Sequence, residues 1–232
     1  MENAITYREI TPFLHISMVL FVIALAVIIS LVGVRIKRTG HLQLFSRGFG
    51  VSLLGLWITY NIYYFLPDNF SFDTSLPLHV CDFMAIIASI SLIRPSRKTS
   101  ALLYFCALAL TSQAIITPTG NQDPMTFRFW LFWFLHGGII SAAIYDLIVR
   151  SYRPIFKDYL FIIGCDLLYV AIILPLDVIF EWNYGFIGNI KPDTPTIIDA
   201  LGPWPQRVVW MVCLVFIVQL IMYLPWKLQK QK

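Results

Sequence analysis

Charge is what this sequence has least of. Only 13% of its 232 residues are Asp, Glu, Lys or Arg, about half the roughly 25% of a soluble domain, and that shortage excludes a water-soluble globular enzyme. Disorder is excluded too, because disordered chains are polar and poor in aromatics, whereas this one carries 18 Phe, 11 Tyr and 7 Trp. Cysteine is scarce. Cys81, Cys106, Cys165 and Cys213 all fall inside apolar runs, so no disulfide framework of outer loops is expected, and no CxxC or Cys/His spacing offers a metal site. No metal and no cofactor is expected. The net charge is +4, but the basic residues form no patch, so nucleic acid is not an expected partner. There is no low-complexity tract, no convincing repeat, and no loop long enough to hold a soluble domain.

What the chain does have is apolar length. Hydrophobic residues make up 58% and the mean hydropathy is +0.74. A bilayer-crossing helix needs about 20 apolar residues. Seven runs qualify, over 13–34, 48–66, 76–93, 101–117, 129–148, 159–180 and 208–225. The fourth is the shortest and holds Thr111, Ser112 and Gln113. The expected fold is all-α, a single seven-transmembrane-helix bundle filling 1–232. A barrel is not expected, since its strands would alternate in polarity. Nor does the first run read as a cleaved signal peptide, because its positive charges follow it and no small-residue site closes it.

The basic residues set the expected orientation. Arg35, Lys37, Arg38, Arg47, Arg94, Arg97, Lys98, Arg150, Arg153, Lys157, Lys227, Lys230 and Lys232 fall on one side, and Arg8, Arg128, Lys191 and Arg207 on the other. The positive-inside rule puts the larger set in the cytoplasm, with the N-terminus outside and the C-terminus inside. The expected location is the cell membrane, a bacterial plasma membrane. The longest outer stretch, 181–207, is dense in Pro and Gly, and Trp182 and Trp204 suit the headgroup belt. It reads as an ordered extracytoplasmic loop, against the alternative of a floppy connector.

Ionisable and polar residues inside a membrane are costly and point to function. At the helical rise, Cys81 lies roughly 7 Å below the outer end of its run, Gln113 roughly 6 Å, His136 roughly 10 Å and Asp177 roughly 5 Å. Asn61 and Tyr64 approach the same level. Such a shared depth points to a cavity open to the outer leaflet. His79 and Cys81 are two apart and do not share a helix face, so the base for Cys81 is sought on another helix, where His136 is the candidate. Gly137 and Gly138 would let that helix approach closely. His79 and Asp82, three apart, do share a face, and Asp82 can orient His79 or shape the site. A thiolate formed by an imidazole is a nucleophile for acyl transfer; the competing reading makes His136 a hydrogen-bonded packing residue and Cys81 filler. Arg128 and Arg207 either hold a lipid phosphate or anchor helix ends. Asp146 stands four before Arg150 and is expected to pair with it. Asp166 serves either as a proton relay or as a hydrogen-bond partner of a neighbouring helix.

Three stretches carry a family resemblance. They are Leu76-Pro77-Leu78-His79-Val80-Cys81-Asp82, Phe132-Trp133-Phe134-Leu135-His136-Gly137, and Asn183-Tyr184-Gly185-Phe186 through Lys191-Pro192 to Asp199-Ala200-Leu201-Gly202-Pro203-Trp204-Pro205. Together they resemble the YwaF-type family of small bacterial integral membrane proteins, related to eukaryotic transmembrane protein 164. The likeness runs over nearly the whole chain; Gln206 departs from it, where the family would have an aromatic. The resemblance implies a lipid acyltransferase that moves a fatty acyl chain from phospholipid to lysophospholipid, with Cys81 as acyl acceptor and His136 as base. His79, Asp82 and Gln113 would support or donate to an oxyanion, and Asn61, Tyr64, Arg128, Asp177, Asn183 and Arg207 would contact substrate. Membrane phospholipid and lysophospholipid are then the partners. Two other classes stay open: an ion-coupled transporter of lipid or small molecules working through Asp146, Asp166 and Asp177, and a non-catalytic membrane scaffold.

Overall fold

The computed structural model describes residues 10–120, 122–190 and 196–229. Arg8, Lys191, Pro192, Lys230 and Lys232, used in the charge pattern and one motif above, lie outside the described residues. The molecule is all-helical, 76% helix, with no strand among the described residues. Its long helices are α1 (Pro12–Lys37), α2 (Leu42–Phe65), α3 (Val80–Ile93), α4 (Arg97–Ile116), α5 (Phe127–Ile148), α6 (Phe156–Phe180) and α7 (Gln206–Gln229). Leu103–Thr111 of α4 is π-helical.

Five of these, α1, α4, α5, α6 and α7, are long and apolar enough to cross a membrane, so the chain is a multi-pass membrane protein. The other two fall short for visible reasons. Gln43, Ser46, Arg47 and Asn61 dilute the hydropathy of α2. The 14 residues of α3 extend only about 21 Å, less than the ~30 Å hydrocarbon core. It starts at Val80 rather than Leu76, because Pro77 lacks a backbone donor and His79 is extended, at φ −70° and ψ 151°, in the N-cap position.

α5 is the central helix, packed on α1, α2, α3 and α4. Its two glycines do not serve the approach to the third helix anticipated from the sequence. A Cβ on Gly137 would lie 3.2 Å from Val22 of α1, and one on Gly138 would lie 2.8 Å from Leu53 of α2. α6 and α7 stand at the periphery, exposing apolar side chains such as Leu168, Ile172, Ile217 and Ile221, as expected where lipid is the solvent.

One end of the bundle is tied by cations to helix ends. Lys37 donates to the Val149 carbonyl at 2.6 Å, and Arg97 makes a bidentate pair with Asp158 at 2.9 and 2.7 Å. Arg150 meets Asp146 at 3.0 Å, the pair expected from their spacing, and also donates to the carbonyls of Ser91 and Leu92. The opposite end carries the segment between α6 and α7, with short 3₁₀ turns at Tyr184–Phe186 and Ile197–Leu201. Tyr184 pins this segment: its hydroxyl donates to the Phe72 carbonyl at 2.7 Å and accepts from Leu76 N–H at 3.0 Å. Tyr169 of α6 adds a bond to the Leu78 carbonyl at 2.8 Å. The extended chain leading into α3 is therefore held from both sides, and its last residue enters the site.

Candidate active site

The site forms where α3 begins. Cys81 occupies the second position of that helix, so its sulfur lies within reach of the backbone N–H groups of Cys81 and Asp82. First-turn N–H groups have no carbonyl partner inside their helix, and they carry the positive end of the helix dipole. The Asp82 carboxylate accepts from the His79 N–H at 3.2 Å, which closes the start of the helix. Asp82 thus shapes the backbone and leaves the imidazole to another partner. That partner is Gly185, whose N–H donates to His79 Nδ1 at 3.3 Å. While this bond stands, the neutral ring carries its proton on Nε2 and offers a donor there. The Tyr184 ring packs on His79 with centroids 5.0 Å apart. Gly185 needs to be glycine: it sits at φ +63°, and a Cβ would come 2.5 Å from the Tyr169 hydroxyl.

His79 and Cys81 open onto a cavity of about 350 Å³, within the roughly 300–1,000 Å³ range of ligand pockets. Ala109, Leu110, Thr111, Gln113 and Ala114 of α4 form one wall; Met211, Leu214, Val215 and Val218 of α7 form another. Phe186, Thr196, Ile198 and Leu201 of the 181–205 segment contribute the third. Most of this lining is apolar. α7 is a peripheral helix that exposes Ile217 and Ile221, so this wall of the cavity is a single helix.

Three of the residues singled out from sequence therefore share the cavity: Cys81, His79 and Gln113. Gln113 spends its amide on its own helix, donating to Ala109 at 3.4 Å. His136 is buried on α5 and is not among the lining side chains. Its Nδ1 donates to the Phe132 carbonyl at 2.8 Å, which leaves Nε2 as the acceptor nitrogen of a neutral ring, and it lies within electrostatic reach of His79. The others hold structure elsewhere. Asn61 donates to Trp57 O at 2.8 Å, and Arg128 donates to the Tyr64 hydroxyl at 2.6 Å. Asp177 accepts from Tyr184 N–H at 3.0 Å, and Asn183 accepts from Gly188 N–H at 3.0 Å. Arg207, 2% exposed, donates to the carbonyls of Gly188 and Ile190. Asp166 accepts from Gln219 of α7 at 2.7 Å, the neighbour-helix hydrogen bond that was one of its two expected roles. Sequence reasoning missed the α7 wall, Thr111 and the Gly185 bond to His79. Only Gly185 left a signal, as part of a motif; four aliphatics on a lipid-facing helix leave none. Among the described residues no group of three or more His, Cys, Asp or Glu is placed to hold a metal.

An all-helical, multi-pass bundle with a thiol and an imidazole on an apolar cavity defines a class of membrane protein. The family follows from the chain itself: the model of the TMEM164 family matches residues 10–223, and the protein belongs to that family. No curated protein and no solved structure matches it.

Proposed function

We propose that this protein is a membrane lipid acyltransferase that passes a fatty acyl group from phospholipid to lysophospholipid through a thioester on Cys81. The observation that carries the reading is the position of Cys81: a helix-N-terminal thiol on a mostly apolar cavity that has the peripheral helix α7 as one wall. In this reading the chain crosses the membrane seven times with its N-terminus outside, so the cavity faces the outer leaflet of a bacterial plasma membrane. The short α3 and the more polar α2 then cross within the bundle, shielded by their neighbours. The excess of Lys and Arg at the opposite end supports that orientation. A site facing outward has no access to cytosolic acyl donors, and a lipid-to-lipid transfer requires none.

The chemistry balances without a cofactor. His136, the base the resemblance implies, does not line the cavity but stands on α5, which packs against α3; in this reading its Nε2 takes the thiol proton across that contact, and the Cys81 sulfur attacks the ester carbonyl. The His79 Nε2–H and the Cys81 N–H at the start of α3 stabilise the oxyanion; the Asp82 N–H is held by the His79 carbonyl at 3.0 Å. The C–O bond breaks, the lysolipid alkoxide takes the proton back from His136, and the acyl group stays on sulfur as a thioester. A second lysolipid hydroxyl attacks the thioester carbonyl, the C–S bond breaks, and the hydroxyl proton passes through His136 to the Cys81 thiolate. Protein purified from membranes and analysed intact should carry a fatty acyl mass on Cys81, lost in Cys81→Ala and released by hydroxylamine. Protein without that adduct, before and after incubation with phospholipid, rejects the proposal.

A further inference from the structure

We infer that the Thr111 hydroxyl is the donor that holds the ester carbonyl of the bound lipid in the cavity. This rests on the acyl-transfer reading and adds to it a residue that orients the substrate.

The argument begins with the π-helical stretch. Several hydroxyls inside these helices return to the carbonyl four residues back, among them Thr59 to Gly55 at 2.9 Å, Ser89 to Ala85 at 2.9 Å, Ser112 to Leu108 at 2.6 Å and Ser141 to Gly137 at 2.7 Å. Ser46, Ser91 and Ser100 bond across to other helices, and Ser30, like Thr111, has no partner among the described residues. Thr111 would look to Ala107. That carbonyl instead accepts the Ser112 N–H, five residues on, as π-helical pairing requires. Thr111 is 2% exposed, and its Oγ1 has no partner among the described residues, yet the residue lines the cavity. A buried hydroxyl without a partner costs about 1–3 kcal/mol, and threonine in a helix divides between two rotamers. Nothing holds this hydroxyl back from turning onto an acceptor placed in the cavity.

The surroundings define that acceptor. Ala109, Leu110, Ala114 and Val215 ask for hydrocarbon. Among the described residues His79 and Cys81 are the only ionisable side chains in the lining, so the described walls offer a charged headgroup no ion pair. A hydrocarbon chain bearing one uncharged acceptor fits, and an acyl ester is such a group. A carbonyl held by Thr111 on the α4 wall is offered to the sulfur on the α3 wall.

The test separates this inference from the reading beneath it by measuring binding without turnover. Cys81→Ala protein in detergent micelles is titrated with a diacyl phosphatidylcholine and with its dialkyl ether analogue, which lacks the carbonyl, and bound lipid is read by native mass spectrometry. Adding Thr111→Val should weaken the diacyl lipid about three- to tenfold, the value of one hydrogen bond, and leave the ether lipid unchanged. Thr111→Ser should restore the preference. Thr111→Val should keep or raise the melting temperature, since it removes an unsatisfied buried hydroxyl. If Thr111→Val alters neither lipid, or both equally, the role assigned to Thr111 is overturned and the acyltransferase reading stands. If the Cys81→Ala protein binds neither lipid, both fall.

Discussion

At the scale of single residues, the site divides between groups that would react and groups that hold them. Cys81 and His79 stand two residues apart at the start of one helix, but they are oriented by different forces. The thiol takes its place from the helix start; the ring is set by an amide 106 residues further along the chain. That division yields separable outcomes. Cys81→Ala should abolish acyl transfer, measured as labelled lysolipid converted to phospholipid, while the protein still folds. His79→Ala removes one donor to the oxyanion, and turnover should fall about 10²–10³-fold while the acyl–Cys81 adduct still forms slowly. An unchanged rate in His79→Ala would mean that Nε2–H does not face the reacting carbonyl. The three aspartates of the transporter alternative are each bonded within the fold: Asp146 to Arg150, Asp166 to Gln219 and Asp177 to the Tyr184 amide.

At the scale of elements, the segment between α6 and α7 acts as a buttress for the start of α3. Tyr184 is the key contact, fully buried, with its hydroxyl joined to Phe72 and Leu76. Burial pushes this phenol up to about 12, above the ordinary value near 10. In the unfolded chain the phenol ionises first, so its contribution to docking is complete below pH 10 and is lost as pH rises towards 12. The protection factors of amides 72–79, their exchange rates corrected for the base-catalysed intrinsic rate at each pH, should therefore fall above pH 10 in wild type. In Tyr184→Phe they should be low already at neutral pH, because the Leu76 N–H loses its partner at a cost of about 1–3 kcal/mol. Gly185→Ala should act on the same contact by pressing a methyl against Tyr169. Protection factors that stay constant to pH 12 would show that the segment docks without the phenol. None of this buttress was legible in the sequence beyond its Pro and Gly density and its motif. Hydrogen bonds from an amide to a ring across 106 residues leave no periodic trace.

At the scale of the molecule, legibility follows the physics of the solvent. Lipid imposes long apolar runs on the peripheral helices, and α1, α6 and α7 were readable for that reason. It imposes nothing on α3, which is shielded by α2, α4 and α5 and is only 14 residues long; its start was read four residues early because Leu76 and Leu78 are apolar without being helical. Cys81 and Gln113, to which helical rise assigns similar depths, do line one cavity. Whether Cys81 and His136 meet was not legible, since azimuth around the bundle depends on packing, and Gly137 and Gly138 turned out to serve α1 and α2. Orientation rests on the charge asymmetry alone, so it gives the broadest prediction. Single cysteines introduced at Asn189 in the 181–205 segment and at Gly40 between α1 and α2 should differ in intact cells. On the proposed topology a membrane-impermeant maleimide labels position 189 and leaves position 40 untouched until the membrane is broken. The reverse pattern would turn the cavity towards the cytoplasm, where soluble acyl donors are present, and would remove the physical reason for a lipid-to-lipid transfer.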